Sequence, residues 1–482
     1  MNNRDDDDDD DDEIHIGGGE EAMMMMMSNN SERMSIDVAL SSVYNDEEKN
    51  WNKQSIYGIY WFNKHDNKEA YEPLIVSIGP YHHGRSHLAS MEVHKRRAVR
   101  HFIKRSNKSI EFYLKEMRSV EKEVREAYEH LDEKKWGQYN SSSSSSSSNQ
   151  LFLQMIITDG CFILEFMEIL SGAPKDYASN DPVFSYYGSI AHYNVVMRDL
   201  LLLENQLPYL VLKKLLVIAD RSPELTEENA EAILSQMMMF PRDAGPGAHM
   251  LDMYMRGMFK GYKRGTTTTS SDDNNNNNNN GSSSEAVVQV VIPPTATLLS
   301  EAGITFKRAR SFDEISFNEQ TRTLYLPQLN IDDYTISTLM NLKMFELRGT
   351  TDRHFNSYIS MMRALMKSAS DVRVLMSEGI VVNLLRREDE EVLKLVKQLA
   401  EDAVVDEMCP SFVAQHHMCD FYKESMRQWE NELRRQMLEW LSNLHQTYFR
   451  TPWSTISVLA AAVLLLLTVI QALYSIKSYV SK

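Results

Sequence analysis

Cysteine is scarce: Cys161, Cys409 and Cys419 are the only three in 482 residues. An odd count with no C-x-x-C pair excludes a disulfide framework and the usual cysteine zinc sites. Cys161 stands in an apolar run and reads as a small buried hydrophobe, a usage that fits a reducing compartment. The glycine loops that cradle phosphates are missing, in both their G-x-x-x-x-G-K-[ST] and G-x-G-x-x-G forms. So are the G-x-S-x-G nucleophile elbow and the H-E-x-x-H zinc helix. No catalytic residue, cofactor or metal ligand is therefore assigned. A secretory leader is lacking too. Met23 to Met27 follow acidic residues, form too short a run and have no basic flank.

What is abundant is negative charge, −17 overall, and about half of it lies in Asp5–Asp12 and Glu13. Consecutive aspartates repel one another and bury nothing, so residues 1–50 read as a disordered acidic leader. No spaced ligand loop follows that would make the run a calcium site. Two polar low-complexity stretches, 140–149 with its serine run and 265–285 with its asparagine run, read as surface loops within a body spanning 51–450. No internal repeat is present.

The body reads as mainly α. His87–Arg105, Leu151–Leu170 and Asp199–Val217 are helix candidates, as is a segment in which Ile110, Leu114, Met117, Val124, Tyr128 and Leu131 recur at spacings of three and four. Tyr422, Met426, Trp429, Leu433, Met437, Trp440, Leu444 and Tyr448 keep the same rhythm in a long amphipathic helix of coiled-coil type. Ile304–Phe306, Ile315–Phe317 and Thr323–Leu326 read as short strands of a small sheet. The fold class is thus a multi-helix globular body with a small β-sheet insertion and one C-terminal transmembrane helix. That last helix, 454–476, carries no charge. Its apolar centre reaches roughly 28 Å, about the hydrocarbon thickness of a bilayer. Trp453 and Tyr474 stand where interfacial aromatics belong, ahead of a short tail, 477–482. The expected localisation is a plasma membrane or endomembrane, crossed once. The simplest topology, a tail anchor, places the large domain in the cytosol. The sequons at Asn107 and Asn280 are usable only in the opposite topology.

Several charges fall where charges do not belong. At about 100° per residue, Gln154, Thr158, Glu165 and Glu168 share one polar stripe, whereas Asp159 points to the apolar side. Lys95 lies inside the apolar stripe of Leu88, Met91, Ala98, Val99 and Phe102. Glu204, Asn205 and Gln206 interrupt an apolar run just before Pro208, which should kink its helix. A lone buried charge is several kcal/mol unfavourable unless paired, so Lys95 is expected to meet Asp159 or Glu204 in a buried polar cluster. The opposite face of His87–Arg105 carries Arg96, Arg97, Arg100 and Lys104. This is a solvated helix face or a contact for anionic lipid or an acidic partner. Nucleic acid is not an expected partner, since the chain is acidic and no aromatic stacking motif accompanies the patch.

The stretch "IVSIGPYHHG" holds Gly79, Pro80, His82, His83 and Gly84. His83 and His87 are four apart, which suits zinc only on a helix, and Gly84 between them argues for a turn. The turn reading explains more: Ile75–Ile78 is an apolar segment that Gly79-Pro80 ends, and Tyr81, His82 and His83 cap or pack against helix ends.

Taken in order, "AYEPLIVSIGPYHHG", "MEVHK", "TDGCFILEF", "DLLLLENQLPYLVL", "EAGITF", "NLKMFEL" and "FRTPWSTISVLAAAVLLLLTVIQ" closely resemble the plant-specific family called domain of unknown function 247, from about Ser55 to Ser475. The resemblance implies a plant protein with a helical body, a C-terminal membrane span and no established biochemical activity. Some grass members are linked to self-incompatibility, a cell-recognition process. The expected function is a membrane-anchored component of recognition or signalling, with the lipid bilayer and an unknown protein as partners. The alternative is a membrane-tethered hydrolase with an unrecognised site. An enzyme should show titratable groups converging on a pocket near His82, Asp159 or Glu204, and a binding module should show them buried and satisfied.

Overall fold

The computed structural model describes residues 53–65, 67–137, 146–172, 176–220, 226–237, 247–259, 293–349, 353–448 and 452–480. The acidic leader, the asparagine insert and Ser141–Ser145 lie outside them. The chain is mainly α and forms two compact units. The first uses the described residues up to Gly257 together with 340–349. The second uses Met258, Phe259, 293–339 and the described residues from 353 onward.

In the first unit the helices longer than four residues are α1 (Ala89–Ser106), α2 (Ile110–Met117), α3 (Glu121–Glu126), α4 (Ser146–Leu170), α5 (Tyr186–Leu200), α6 (Tyr209–Ala219), α7 (Glu227–Met237) and α8 (Met250–Met258). The hydrophobic α4 is central. Phe152, Ile156, Ile157, Cys161, Phe162 and Phe166 on it have no exposed surface. Helices α1, α2, α5 and α6 pack around it. Gly160 allows the closest approach, because a Cβ there would collide with Leu215 of α6. The serines Ser146–Ser148, expected in a loop, open α4 instead. Asn107, read as a sequon, ends α1 in a left-handed conformation (φ 57°), and its N–H bonds the Ile103 carbonyl.

Two helix boundaries correct the sequence reading. The segment from Ile110 to Leu131 is not one helix. It breaks after Met117, where the Ser119 hydroxyl takes the Glu116 carbonyl, and Tyr128 joins an isolated bridge to Ile56. Nor is Asp199–Val217 one helix kinked at Pro208. Helix α5 ends at Leu200, residues 201–208 form a linker, and Pro208 stands as the residue capping the start of α6. Proline disfavours a helical residue before it and supplies no N–H, so it suits a helix start better than a helix interior.

The second unit holds α9 (Ala296–Glu301), β1 (Thr305–Ala309), β2 (Ser316–Asn318), β3 (Thr323–Pro327) and β4 (Leu329–Ile331). Then come α10 (Thr335–Gly349), whose residues from Met340 belong to the first unit, α11 (His354–Leu365) and α12 (Ala369–Ser377). β5 (Val381–Asn383), α13 (Asp389–Leu399), α14 (Pro410–Tyr448) and α15 (Pro452–Val480) complete it. The three strands expected from sequence form one sheet in the order β1-β3-β2, with β1 parallel and β2 antiparallel to β3. The parallel pair β4–β5 was not anticipated; each of its strands has only three residues, too few to show a period. Phe312 packs on Phe355 and Tyr358, and the Tyr358 hydroxyl donates to the Pro327 carbonyl at 3.1 Å.

A capping box ties α12 to α9. The Asp371 carboxylate accepts the backbone N–H groups of Thr297 (3.0 Å), Lys367 (3.1 Å) and Ser368 (2.9 Å), and the Ser368 hydroxyl (2.7 Å). Burial alone would push this carboxyl up, but the Thr297 and Ser368 hydrogen bonds outweigh it and hold the pKa down to about 2. A depressed carboxyl stabilises the fold above its unfolded value near 4, and that stability is lost as pH falls toward about 2. Replacing Asp371→Asn should therefore lower stability at pH 7 by about 2 kcal/mol and flatten the decline between pH 4 and 2. Urea unfolding of both proteins across that range measures it.

Candidate functional site

The stretch from Leu74 to Gly79 belongs to no helix or sheet, and from Val76 onward it is buried. Buried backbone groups without partners are strongly unfavourable, so their partners must come from elsewhere. They come from side chains of the surrounding helices. The Asp199 carboxylate, at the end of α5, accepts the N–H groups of Leu74 (2.9 Å), Ile75 (2.8 Å) and Val76 (3.1 Å). Asn205, in the 201–208 linker, accepts from the Ile78 N–H (2.7 Å) and donates to the Val76 carbonyl (3.0 Å) and the Asp199 carbonyl (2.8 Å). Asp159 of α4 accepts the Gly79 N–H (2.7 Å), and Lys95 of α1 donates to the Ser77 carbonyl (2.9 Å). One segment is thus answered residue by residue from α1, α4, α5 and the linker.

Lys95 and Asp159 are fully buried, and their charged atoms stand 2.5 Å apart. Lys95 also donates to Glu92 at 2.6 Å. Burial opposes the charge on Lys95, yet the Asp159 and Glu92 carboxylates hold its pKa above the ordinary lysine value. Burial pushes Asp159 up to about 6, against the pull of Lys95. Glu204 does not join this pair. It accepts the Ile59 N–H (2.7 Å) and pairs with Lys64 (2.5 Å), and its other neighbour is His82 at 3.5 Å. Gln206 holds the linker by donating to the Leu200 (2.6 Å) and Leu202 (2.7 Å) carbonyls and accepting from Leu251 N–H (3.1 Å).

Gly79 is required by geometry. Its φ is +74°, and a Cβ would lie 2.5 Å from the Gln206 carbonyl oxygen. Pro80 follows in the turn, and Gly84 also has positive φ. Tyr81 donates to the Glu129 carbonyl. His83 meets the edge of Trp136 (5.3 Å), and its carbonyl accepts from Lys135 (2.7 Å). His87 contacts the Pro73 carbonyl at 3.2 Å. His82 is wholly buried, and neither ring nitrogen has a hydrogen-bond partner. Among the described residues no group of three or more His, Cys, Asp or Glu is placed to hold a metal ion. Cys161, Cys409 and Cys419 are buried, free thiols whose pKa burial raises, to about 12 and 11 for the last two. Such thiols are poor nucleophiles.

On the basic face, Arg96, Arg100 and Lys104 are exposed, whereas Arg97 turns to an ion pair with Asp181. Sequence reasoning missed several buried charges. Glu165, assigned to a polar stripe, is fully buried against Arg105 and the Tyr177 hydroxyl. Glu129 accepts the Gly58 N–H and a bidentate grip from Arg348 of α10. Asp199, which the apolar run after it places at the start of a helix, stands instead at the end of α5. A cavity of about 410 Å³ is lined by Phe102, Arg105, Leu164, Leu216 and Met237 among others, and none of His82, Asp159 or Glu204 reaches it.

Two predictions follow from these contacts. Lys95→Met leaves Asp159 and Glu92 without their cation and should destabilise the protein by about 3–5 kcal/mol. Adding Asp159→Asn should bring the double variant well short of the summed losses, as a double-mutant cycle in denaturant will show. His82 is held neutral, its pKa lowered to about 3 by burial and by Arg85, Lys64 and His87, with Glu204 the facing acid. Its folded pKa lies below the unfolded value near 6.5, so stability is full above that pH and declines as pH falls toward about 3, by roughly 1.4 kcal/mol per unit. His82→Leu forfeits no hydrogen bond and should lose that part of the slope. The two unfolding midpoints compared from pH 7 to 4 decide it.

Residues 58–467 match the family described as plant protein of unknown function (DUF247). The UPF0481 protein At3g47200 of Arabidopsis thaliana is 27% identical over 434 residues, covering 86% of this chain and 84% of that protein. The putative UPF0481 protein At3g02645, also from Arabidopsis thaliana, is 28% identical over 180 residues, 37% of this chain and 29% of that protein. No solved structure matches significantly. The matched region takes in the clasped segment, its clasping side chains and most of the apolar C-terminal helix, and the chain belongs to this plant family, domain of unknown function 247.

Proposed function

We propose that the protein is a single-pass membrane component whose helical body docks another protein, in recognition or signalling rather than in catalysis. The observation that carries the reading is the contrast between α15 and the clasped segment. Helix α15 contains an uncharged and strongly apolar stretch, Ile456–Ile476, of 21 residues, long enough to cross a bilayer and with none of it buried. In the body, by contrast, the charges of Lys95, Asp159, Asp199 and Glu204 are engaged with backbone groups or one another, which favours a rigid scaffold over an acid–base site. The free buried thiols fit a body facing the cytosol. Arg96, Arg100 and Lys104, exposed along one face of α1, offer a contact for an acidic partner or lipid headgroups.

Full-length protein expressed in plant cells should remain in the pellet after alkaline carbonate washing, and a body facing the cytosol should be digested by protease added to intact cytosol-side-out vesicles. Release into the carbonate supernatant overturns the anchor, and protection of the body overturns the orientation.

A further inference from the structure

Helix α14 changes character along its length. Its first half packs into the second unit through Ala414, Met418 and Cys419, and Phe421 meets Phe317. Beyond Met426 it is exposed nearly all round, yet it keeps an apolar stripe: Trp429, Met437 and Trp440 are 60, 59 and 64% exposed. Met426, Trp429, Leu433, Met437, Trp440 and Leu444 follow one another at steps of 3, 4, 4, 3 and 4. That is an eleven-residue repeat, about 3.67 residues per turn, so the stripe runs almost straight along one face for roughly 27 Å. Among the described residues nothing covers it.

The charges beside the stripe identify what does. Placed at about 100° per residue, Lys423, Arg427 and Arg434 border one side, joined by Glu430; Glu432 and Glu439 border the other. In a parallel two-fold pair of such helices, the left border of one copy lies against the right border of the other, and basic meets acidic. In an antiparallel pair each border meets its own kind. In height, Glu432 stands between Arg427 and Arg434, so an in-register pair brings it within reach of both from the other copy. Glu432 is already held by Arg435 on its own helix at 2.9 Å, so the stripe supplies the affinity and the borders supply the orientation. We propose that the distal half of α14 is the interface of a parallel homodimer of this chain. The pattern alone selects this arrangement. The membrane reading of α15 adds to it, because two copies anchored through the next helix present α14 in the same direction and at raised local concentration.

The test is disulfide cross-linking of the full-length chain in membranes or detergent micelles, with copper-phenanthroline as oxidant. Met426→Cys and Leu444→Cys, at opposite ends of the stripe, should each cross-link to themselves and double the mass. Asn431→Cys on the back face should not. Because Trp440 is exposed and packs on no core among the described residues, Trp440→Glu should leave the unfolding midpoint unchanged while halving the mass seen by light scattering. Self-linking absent from both cysteine variants, or linking found only when the two are mixed, overturns the parallel pair. So does a dimer that survives Trp440→Glu, which would place the association in α15, or a wild-type chain that is monomeric at micromolar concentration. Cross-linking that persists in protein extracted by carbonate supports the pair and rejects only the anchor.

Discussion

A non-helical segment that runs into the core without joining a sheet sets the terms for the first unit. From Val76 to Gly79 the chain is buried, and with no neighbouring strand, side chains answer its peptide groups. One carboxylate, Asp199, answers three consecutive amides, an arrangement a strand cannot supply, because neighbouring peptide N–H groups in a strand point to opposite sides. Burial still pushes the Asp199 carboxyl up despite those amides, a sign of how completely water is excluded. The segment also fixes the helices that clasp it. Helix α1 must offer Lys95, α4 must offer Asp159, and the chain after α5 must leave its helix so that Asn205 can turn toward Val76 and Ile78.

The same requirement explains why the linker 201–208 is polar inside an apolar run. A continuous helix from Asp199 to Val217 would satisfy its own backbone and give the Leu74–Gly79 segment nothing. Breaking it frees carbonyls at Leu200 and Leu202, which Gln206 then takes up, while Asn205 serves the segment and Pro208 restarts the helix. Gly79 closes the arrangement, since a side chain at that point would strike the Gln206 carbonyl. The motif "LENQLP" and the motif "SIGP" are therefore two halves of one contact, 127 residues apart at the Ile78–Asn205 hydrogen bond.

How much of this was legible depends on whether a residue's partner acts through helical period. Lys95 and Asp159 could be read, because an angle of about 100° per residue places each inside an apolar face, where a charge needs an explanation. Asp199 could not: the apolar run after it makes it look like a helix start, where an acidic residue is ordinary, and the amides it accepts lie 123 to 125 positions away. Glu165 was misplaced for a related reason. The wheel shows a polar stripe but not that Arg105 covers it. The helix break at 201–208 left two signals, the polar triplet Glu204–Gln206 and the restriction that Pro208 imposes on Leu207, but the apolar runs on either side outweighed them. The strands β1 to β3 were legible from short β-branched and aromatic runs between polar residues, and β4 and β5 were too short for such a run to stand out.

The second unit shows the opposite use of apolar residues. In the first unit, hydrophobic side chains gather in the core around α4, and the buried charges hold backbone or one another. Along distal α14 and α15, large apolar side chains stay exposed: tryptophans at 429 and 440, and leucines from Leu464 to Leu467. Uncovered apolar area of this extent is unfavourable in water and rarely persists on a soluble monomer. The two helices differ in what relieves it. Helix α15 carries no charge from Pro452 to Ile476, so hydrocarbon can surround it on every side. Distal α14 has an apolar stripe on one side and, Leu438 and Leu441 apart, mostly polar and charged residues around the rest, so the hydrocarbon core would strand its charges and a second amphipathic surface suits it. The chain thus places its uncommitted hydrophobic surface in sequence order, first a one-sided helix suited to a protein partner, then an all-round helix suited to a membrane.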